Sequence, residues 1–262
     1  MTGRTTHPWT RYVAVGDSFT EGMVDPDPAR PDAYRGWADL LAAELAERTE
    51  APFGYANLAI RGRKVDDVVG RQLDEALAMG PDLVSIVGGG NDILRPRVDL
   101  DRLAATLESA VARARAAGAD VLMATPSNPA EAGLFRGLLG RHAIHSANVF
   151  SIAQRHAAHV LDLWGLESVR DWRMWGEDRI HLSTEGHHRV AQAALHALGQ
   201  STGDGWRDRL DPAPPLPARE RAAKGAAWAR TYAGPWVQRR VKGISSGDLR
   251  DAKRPEITPL GG

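Results

Sequence analysis

The chain has 262 residues and no net charge, and its 43% hydrophobic and 25% charged residues are ordinary values for a globular protein. It contains no cysteine, which excludes disulfides, thiolate nucleophiles and cysteine-based metal sites. No apolar run approaches the ~18 residues of a membrane helix, and the polar residues 1–11 lack the apolar stretch of a secretory signal. We therefore expect a cytoplasmic protein without a membrane span, built as one large domain or as a domain with an appendage.

Between residues 10 and 198, short apolar runs alternate with longer helix-like segments, which is the pattern of a parallel sheet covered by helices. The predicted strands lie near residues 11–15, 54–58, 82–87, 120–124 and 159–163. The predicted helices lie near residues 34–48, 65–78, 99–117, 134–157 and 184–198. The fold class is therefore α/β.

After residue 198 the composition changes. Residues 199–218 are rich in Gly, Asp and Pro, which predicts an extended linker. A helix is predicted to follow over residues 219–232. We therefore divide the chain into a domain of residues 1–198 and a proline-rich, helical and basic extension of residues 199–262.

The extension carries an aromatic stripe, because Trp228, Tyr232 and Trp236 recur every four positions. Such a stripe usually packs on a core, although Pro235 should interrupt a helix there. We expect this aromatic segment to dock back onto the domain, and the sequence leaves open whether it reaches the rim of an active site.

The extension is also mildly basic, with 12 Lys/Arg against 7 Asp/Glu in residues 199–262. A basic segment can contact anionic lipid or nucleic acid. More often it is a solvated or intramolecular face, and no nucleic-acid motif accompanies it, so we predict no nucleic-acid partner.

A serine directly follows the first predicted strand. The apolar residues 12–15 lead into Gly16, Asp17 and Ser18, which puts the Ser18 hydroxyl at a strand end, where open α/β sheets hold their ligands. This hydroxyl can be a nucleophile if a base takes its proton. From this segment alone, a helix N-cap before Phe19 is an equally good interpretation.

A carboxylate lies three residues before a histidine in the loop that follows the last predicted strand. In a compact turn, Asp178 can accept the Nδ1 proton of His181, which turns Nε2 towards the serine and stabilises the imidazolium. The alternative is a surface pair in a polar loop, and this short spacing taken alone favours that alternative.

Two further segments can supply oxyanion donors. Asn91 follows the third predicted strand after three glycines, which allow close approach of a ligand to the backbone. The N–H of Gly62, after the second strand, is a second candidate, and that of Ser18 a third. The alternatives are an anion-binding nest or a glycine-rich turn at residues 88–92 and a simple turn glycine at Gly62.

These segments each follow a different predicted strand, so one crevice can hold them all. In order, Gly16-Asp17-Ser18, Gly62, Gly89-Gly90-Asn91-Asp92 and Asp178-x-x-His181 resemble the four signature blocks of the SGNH (GDSL-type) hydrolases. The resemblance covers about residues 10–198 and has one departure, Phe19 where the name-giving motif has Leu. It implies a three-layer, flavodoxin-like α/β/α sandwich with a five-stranded parallel sheet.

The resemblance also implies roles for the residues. Ser18 would be the nucleophile, His181 the base and Asp178 the third member of the triad, with Ser18, Gly62 and Asn91 forming the oxyanion hole. We expect a serine esterase that needs no metal or cofactor and cleaves small carboxylic esters, with a short acyl, aryl, lipid-like or acetylated group. A thioesterase or lysophospholipase, a carbohydrate acetylesterase and a binding module with a vestigial site remain alternatives, and the oligomeric state is not readable from the sequence.

Several large side chains are candidates for substrate contact, in the loop before Asp178 and at the predicted entrance. An equally good interpretation is that they only anchor the loops. The candidates are Tyr34, Trp37, Trp164, Trp172, Met174 and Trp175.

Other chemistry-bearing residues are predicted to have no catalytic role. Residues 243–247 match the Gly-x-Ser-x-Gly nucleophile elbow, but no histidine follows His196 and no strand leads into them. His187 and His188 are predicted to be exposed and to bind no metal.

Three aspartates receive structural interpretations. Asp162 ends a buried strand and could orient His181, but Asp178 is nearer in sequence. Asp17 and Asp92 are predicted to hydrogen-bond loop amides.

Overall fold

The computed structural model describes residues 7–30, 33–214, 217–235, 238 and 245–260 of the chain. Its strands are β1 (Arg11–Val15), β2 (Phe53–Asn57), β3 (Leu83–Ile86), β4 (Asp120–Ala124), β5 (His159–Leu161) and β6 (Arg254–Leu260). They form one sheet in the order β5-β4-β3-β1-β2-β6. Strands β1 to β5 pair in parallel, as predicted, and β6 is antiparallel to β2.

Helices cover both faces of the sheet. They are α1 (Ser18–Glu21), α2 (Trp37–Ala46), α3 (Val65–Asp67), α4 (Leu73–Ala78), α5 (Gly90–Ile93), α6 (Leu100–Ala116), α7 (Leu139–His156), α8 (Thr184–Ala197) and α9 (Ala218–Trp228). Shorter turns are the π-helical segments Val68–Gln72 and Ala229–Ala233 and the 3-10 segments Pro129–Glu131, Gly133–Leu138, Glu167–Arg170 and Trp172–Met174. In the part of the chain that the structure describes, no helix combines the length and apolarity needed to cross a bilayer.

Two hydrophobic layers separate the sheet from its helices, because successive side chains of a strand point to opposite faces. In β1, Tyr12 and Ala14 pack in the layer beneath α2 and α8. Val13 and Val15 pack in the opposite layer, with α3, α4, α6 and α7. The predicted three-layer α/β/α sandwich is therefore confirmed.

Two predicted helices differ in detail from the observed ones. The helix predicted over residues 65–78 is interrupted by the π-helical turn Val68–Gln72. The helix predicted over residues 134–157 begins as the 3-10 segment Gly133–Leu138 and becomes α-helical only at Leu139. Glycine is a poor former of α-helix, which accounts for the irregular start around Gly137.

The sixth strand, β6, comes from the extension and is absent from the prediction of a five-stranded sheet. Its prolines at positions 255 and 259 hide it from a pattern search, since proline is tolerated mainly on edge strands. Strand β6 is such an edge strand, and it pairs Leu260 with Phe53 and Thr258 with Tyr55. The sheet therefore includes residues on both sides of the predicted boundary at residue 198.

Lys253, directly before β6, ties the extension to the domain. Its ammonium donates hydrogen bonds to the backbone carbonyls of Glu21 at 2.6 Å and Tyr34 at 3.0 Å, and to the Asp39 carboxylate at 2.5 Å. The side chains of Lys253 and Asp39 are only 10% and 11% exposed. An almost buried ion pair thus anchors the last part of the extension on the domain.

The helical part of the extension also departs from the prediction at one point. The backbone stays helical through Pro235 instead of being interrupted there. The wider π-helical turn Ala229–Ala233, just before it, leaves room for the proline ring. Trp236, the last member of the predicted stripe, lies outside the described residues.

Candidate active site

Ser18 is the first residue of α1, immediately beyond the end of β1. Asp17, not Ser18, is the N-cap of this helix, and its carboxylate accepts a hydrogen bond from the N–H of Phe19 at 3.1 Å. The interpretation of Ser18 as the N-cap is therefore wrong, and its hydroxyl is free of that structural task. Its backbone N–H belongs to the first turn, which a helix leaves without an internal partner.

The side chain of Gln72 holds the turn before Ser18 in place. Its amide accepts a hydrogen bond from the N–H of Gly16 at 2.8 Å and donates one to the Gly16 carbonyl at 3.0 Å. The Gln72 side chain thus pairs both backbone polar groups of Gly16, as a neighbouring strand would. Sequence reasoning missed Gln72, and no motif marks it.

The Asp178–His181 pair has the geometry of an orienting carboxylate and its imidazole. His181 Nδ1 lies 2.6 Å from Asp178 Oδ2. The other carboxylate oxygen accepts the backbone N–H groups of Ile180 at 2.9 Å and His181 at 3.0 Å. Partial burial works to raise the pKa of Asp178, but these hydrogen bonds and the charge of His181 bring the pKa below its ordinary value. Asp178 is therefore an ionised partner at neutral pH.

The His181 loop is a compact structure rather than an open surface loop. Gly176 N–H donates to the His181 carbonyl at 2.8 Å, and Ser183 N–H donates to the Met174 carbonyl at 2.9 Å. Arg179, between the two paired residues, has a φ of 58°, in the left-handed region. The turn folds the carboxylate back onto the imidazole, which a surface pair in a mobile loop would not do.

Asn91 connects three of the predicted site segments. It lies in α5, directly after β3, and its Nδ2 donates to Asp17 Oδ2 at 3.1 Å and to the Arg63 carbonyl at 3.0 Å. Asp92 accepts the N–H of Val65 at 3.0 Å. The predicted loop roles of Asp17 and Asp92 are thus confirmed. Donation to an oxyanion would require Asn91 to share or release one of these amide bonds.

Strand order explains why these segments meet. Strand β1 lies between β2 and β3, and the sheet is extended in opposite directions on its two sides. Such a switch point leaves a crevice at the carboxyl ends of the strands. Ser18 follows β1 and Asn91 follows β3, so both lie at this crevice.

A cavity of about 420 Å³ opens from this crevice. Ser18, Asn91 and Ile180 line the cavity, whereas Asp178 and His181 are not among the described residues that line it. Burial raises the pKa of Asp17 to about 6. The hydrogen bond from Phe19 and the charge of nearby His181 oppose this rise. No hydrogen bond joins Ser18 Oγ to His181 among the described residues, and in free enzymes such catalytic bonds are often long or poorly aligned.

Sequence and fold comparisons agree on the class of this molecule. The model of the GDSL-like lipase/acylhydrolase family matches residues 14–189, more than half of the chain. The chain belongs to this family. The predicted SGNH (GDSL-type) resemblance is therefore confirmed, and no curated protein sequence matches the chain.

Several solved structures share this fold. TesA shares 26% sequence identity with a TM-score of 0.60, over 71% of this chain and 97% of its own. Axe2, an acetylxylan esterase from Geobacillus stearothermophilus, shares 23% with a TM-score of 0.59, over 74% and 96%. LAE5, an α/β hydrolase from the metagenome of Lake Arreo in Spain, shares 23% with a TM-score of 0.61, over 72% and 95%. More than a quarter of this chain lies outside each match.

Gly62, the remaining family position, has a φ of 76°, which favours glycine. It does not line the cavity among the described residues, and a Cβ there would clash with the Ser245 hydroxyl. Ser245 belongs to the rejected nucleophile-elbow segment, of which residues 243 and 244 lie outside the described chain. Its hydroxyl donates to the Arg61 carbonyl at 3.4 Å, so it packs on the Gly62 loop.

A buried ion pair that the sequence did not suggest fixes the Gly62 loop to α1. The Arg61 guanidinium contacts the Glu21 carboxylate, which also accepts the Arg61 N–H at 2.7 Å. The Arg61 guanidinium lies over the ring of Tyr34, 5.2 Å from its centroid. Glu21 and Arg61 are 40 positions apart, so no local pattern announces their pairing.

His187 is buried, and the prediction that it is exposed is wrong. Its Nδ1 accepts the N–H of Trp37 at 3.2 Å and its Nε2 donates to the Met23 carbonyl at 3.2 Å. Burial lowers the pKa of His187 to about 4, so it is a neutral link between α2 and α8. The helical spacing from His187 to Val190 and Ala191 was the available signal. His188 is exposed, as predicted.

The six candidate substrate contacts divide into two groups. Trp172 and Trp175 line the cavity. The others do not line it: Trp37 and Met174 are buried in the interior, Tyr34 lies against Arg61, and Trp164 is half-buried. Asp162 accepts the N–H of Gly165 at 2.9 Å, which fits its predicted structural role.

Proposed function

We propose that this acylhydrolase is a serine esterase that cleaves carboxylic esters through a covalent acyl-enzyme. The observation that carries the proposal is the 2.6 Å contact between Asp178 and His181, formed in a closed turn whose intervening residues, Arg179 and Ile180, line the same cavity as Ser18. An imidazole oriented in this way is a competent base for a neighbouring serine hydroxyl.

In the proposed reaction, Ser18 Oγ attacks the ester carbonyl while His181 Nε2 takes the hydroxyl proton. Asp178 holds the imidazole and balances its positive charge. The N–H groups of Ser18 and Gly62 and the amide of Asn91 stabilise the oxyanion of the tetrahedral intermediate. His181 then protonates the leaving alcohol and, in the second half, deprotonates the water that releases the carboxylic acid and restores the Ser18 hydroxyl.

The lining of the cavity favours substrates with an apolar acyl group. Its wall is mainly apolar, with Leu94, Leu163, Val169 and Leu182 among the lining residues. Apolar groups gain free energy on leaving water for such a surface. A cytoplasmic location, which the absence of cysteine favours, stays a prediction of the sequence.

Kinetics of Ser18→Ala test the proposal. The variant should lose hydrolysis of p-nitrophenyl butyrate by a factor of about 10⁴ or more, because no other group supplies the nucleophile. Ser151→Ala, on the exposed face of α7, is the matched control and should retain full turnover. A folded Ser18→Ala variant with near wild-type turnover would refute the proposed nucleophile.

A further inference from the structure

Helix α9 and the π-helical turn after it cover one side of the cavity. Trp228, Ala229 and Ala233 line the cavity. Most other described side chains of this segment are exposed, so the segment packs through a few side chains rather than within a core. These few side chains face the cavity and the loop beside it.

Trp228 makes the central contacts of this segment. Its indole N–H donates to the Asp178 carbonyl at 2.9 Å. Its ring meets Phe135 edge to face, with centroids 6.3 Å apart. The Arg179 guanidinium lies between Trp228 and Trp172, at 5.2 Å and 5.5 Å from their ring centroids. Three contacts of different kinds thus hold the Trp228 ring at the cavity wall.

A second contact, one turn after Trp228, fixes the π-helical segment that follows α9. Tyr232 donates its hydroxyl proton to Glu177 at 2.8 Å. Glu177 and Asp178 are adjacent, so Trp228 and Tyr232 both hold the turn that carries the catalytic pair. The wall and the turn form one connected structure.

This wall lies outside the family region, which ends at residue 189. The solved relatives match almost their whole length while leaving roughly a fifth to three tenths of this chain uncovered. Any selectivity that α9 provides would therefore belong to this chain rather than to the family fold.

The mainly apolar lining of the cavity suits a chain of methylene groups. Phe135, Trp172 and Trp228 supply aromatic surface, and Leu138 and Leu163 supply aliphatic surface. Burial lowers the pKa of His145, on the same wall, to about 4, so this imidazole is uncharged at neutral pH. An acetyl group alone would leave most of a 420 Å³ cavity unfilled.

We infer that Trp228 is a specificity-determining residue, whose ring closes the cavity around an aliphatic acyl chain and makes esters of medium-length fatty acids the preferred substrates. The inference rests on the proposed esterase function. Each buried methylene is worth up to about fourfold in kcat/KM, the equivalent of ~0.8 kcal/mol. The six additional methylenes of octanoyl set a ceiling of about 4,000-fold over acetyl, and we expect the preference to rise by roughly 100-fold or more and to level off when the cavity is full.

The test is the kcat/KM of p-nitrophenyl esters from acetyl to dodecanoyl, each below its micelle concentration. Trp228→Ala should lower the octanoyl-to-acetyl ratio by about tenfold or more, because the wall opens to water. Trp228→Phe loses the hydrogen bond to Asp178 but keeps an aromatic wall, so the ratio should stay within about threefold of wild type. Trp206→Ala, elsewhere in the extension and not on the cavity, should leave the ratio unchanged.

Three outcomes overturn the inference. One is a wild-type profile that is highest for acetyl, and another is a folded Trp228→Ala variant with an unchanged ratio. The third is a Trp206→Ala variant that lowers the ratio as much as Trp228→Ala does. If Ser18→Ala abolishes turnover in the same assays, each of these refutes the role of Trp228 without touching the esterase proposal, whereas retained Ser18→Ala turnover refutes the esterase proposal itself.

Discussion

The loops at the carboxyl ends of β1 and β3 and the extension contribute to the same site in different ways. The loops carry the candidate chemistry on short helices that begin where strands end, as Ser18 and Asn91 do. The extension carries none of the proposed catalytic groups, yet it adds β6, the Lys253 anchor and the Trp228 wall. The position of the candidate chemistry thus follows from the topology of the sheet, whereas the shape of the cavity depends on individual long-range contacts.

We expect the largest effect from removing the Lys253–Asp39 ion pair, which anchors the extension on the domain. Lys253→Met removes the ammonium and leaves the nearly buried Asp39 carboxylate without its main partner. Breaking such a pair should cost about 3–5 kcal/mol in the free energy of unfolding, measured by urea denaturation. Lys224→Met is the control, because Lys224 pairs with Glu220 on the surface and should contribute less than ~0.5 kcal/mol. Equal losses in the two variants would show that the extension is not anchored at Lys253.

A smaller effect concerns the loops. Asn91→Ala should lower kcat for p-nitrophenyl butyrate by roughly 10²–10³ while KM changes little, if the amide is an oxyanion donor in the transition state. The same amide holds Asp17 and the Arg63 carbonyl. A rise in KM with kcat unchanged would instead assign Asn91 to ground-state binding or to loop structure.

The smallest effect is on pH dependence. Because burial raises the pKa of Asp17 to about 6 from 3.8, the folded state holds this proton more tightly than the unfolded state. Wild type should therefore gain stability relative to Asp17→Asn as the pH falls from about 6 to 4, by roughly 1–3 kcal/mol.

The pH test is read as a difference between urea unfolding free energies at several pH values. Asp101→Asn, an exposed change in the first turn of α6, serves as control and should show no such trend against wild type. A wild-type advantage that grows with rising pH would contradict the assignment, because it would require a carboxyl with a lowered pKa.

The sequence predicted the sheet and the location of the candidate site because both follow from local signals. Apolar runs marked β1 to β5 to within about two residues, and parallel strands bring their carboxyl ends to one edge. Ser18 and Asn91, which follow β1 and β3, therefore line the same cavity. The N-cap alternative for Ser18 failed for a local reason as well, since the neighbouring Asp17 is the better cap.

The remaining features depend on contacts between distant residues and leave no local pattern. The Glu21–Arg61 pair, the Lys253–Asp39 pair and the bond from Trp228 to Asp178 span 40, 214 and 50 positions. The two prolines of β6 argue against a strand in the sequence, but an edge strand tolerates them. These contacts are visible only once the chain has folded.

Covalent labelling with a fluorophosphonate, followed by mass spectrometry of the labelled peptide, tests directly whether Ser18 is the nucleophile. We expect one adduct, on Ser18, with labelling strongly slowed in His181→Ala because the hydroxyl has lost its base. An adduct on Ser245 or another serine, or no adduct on the folded protein, would contradict the central claim that Ser18 is the activated nucleophile.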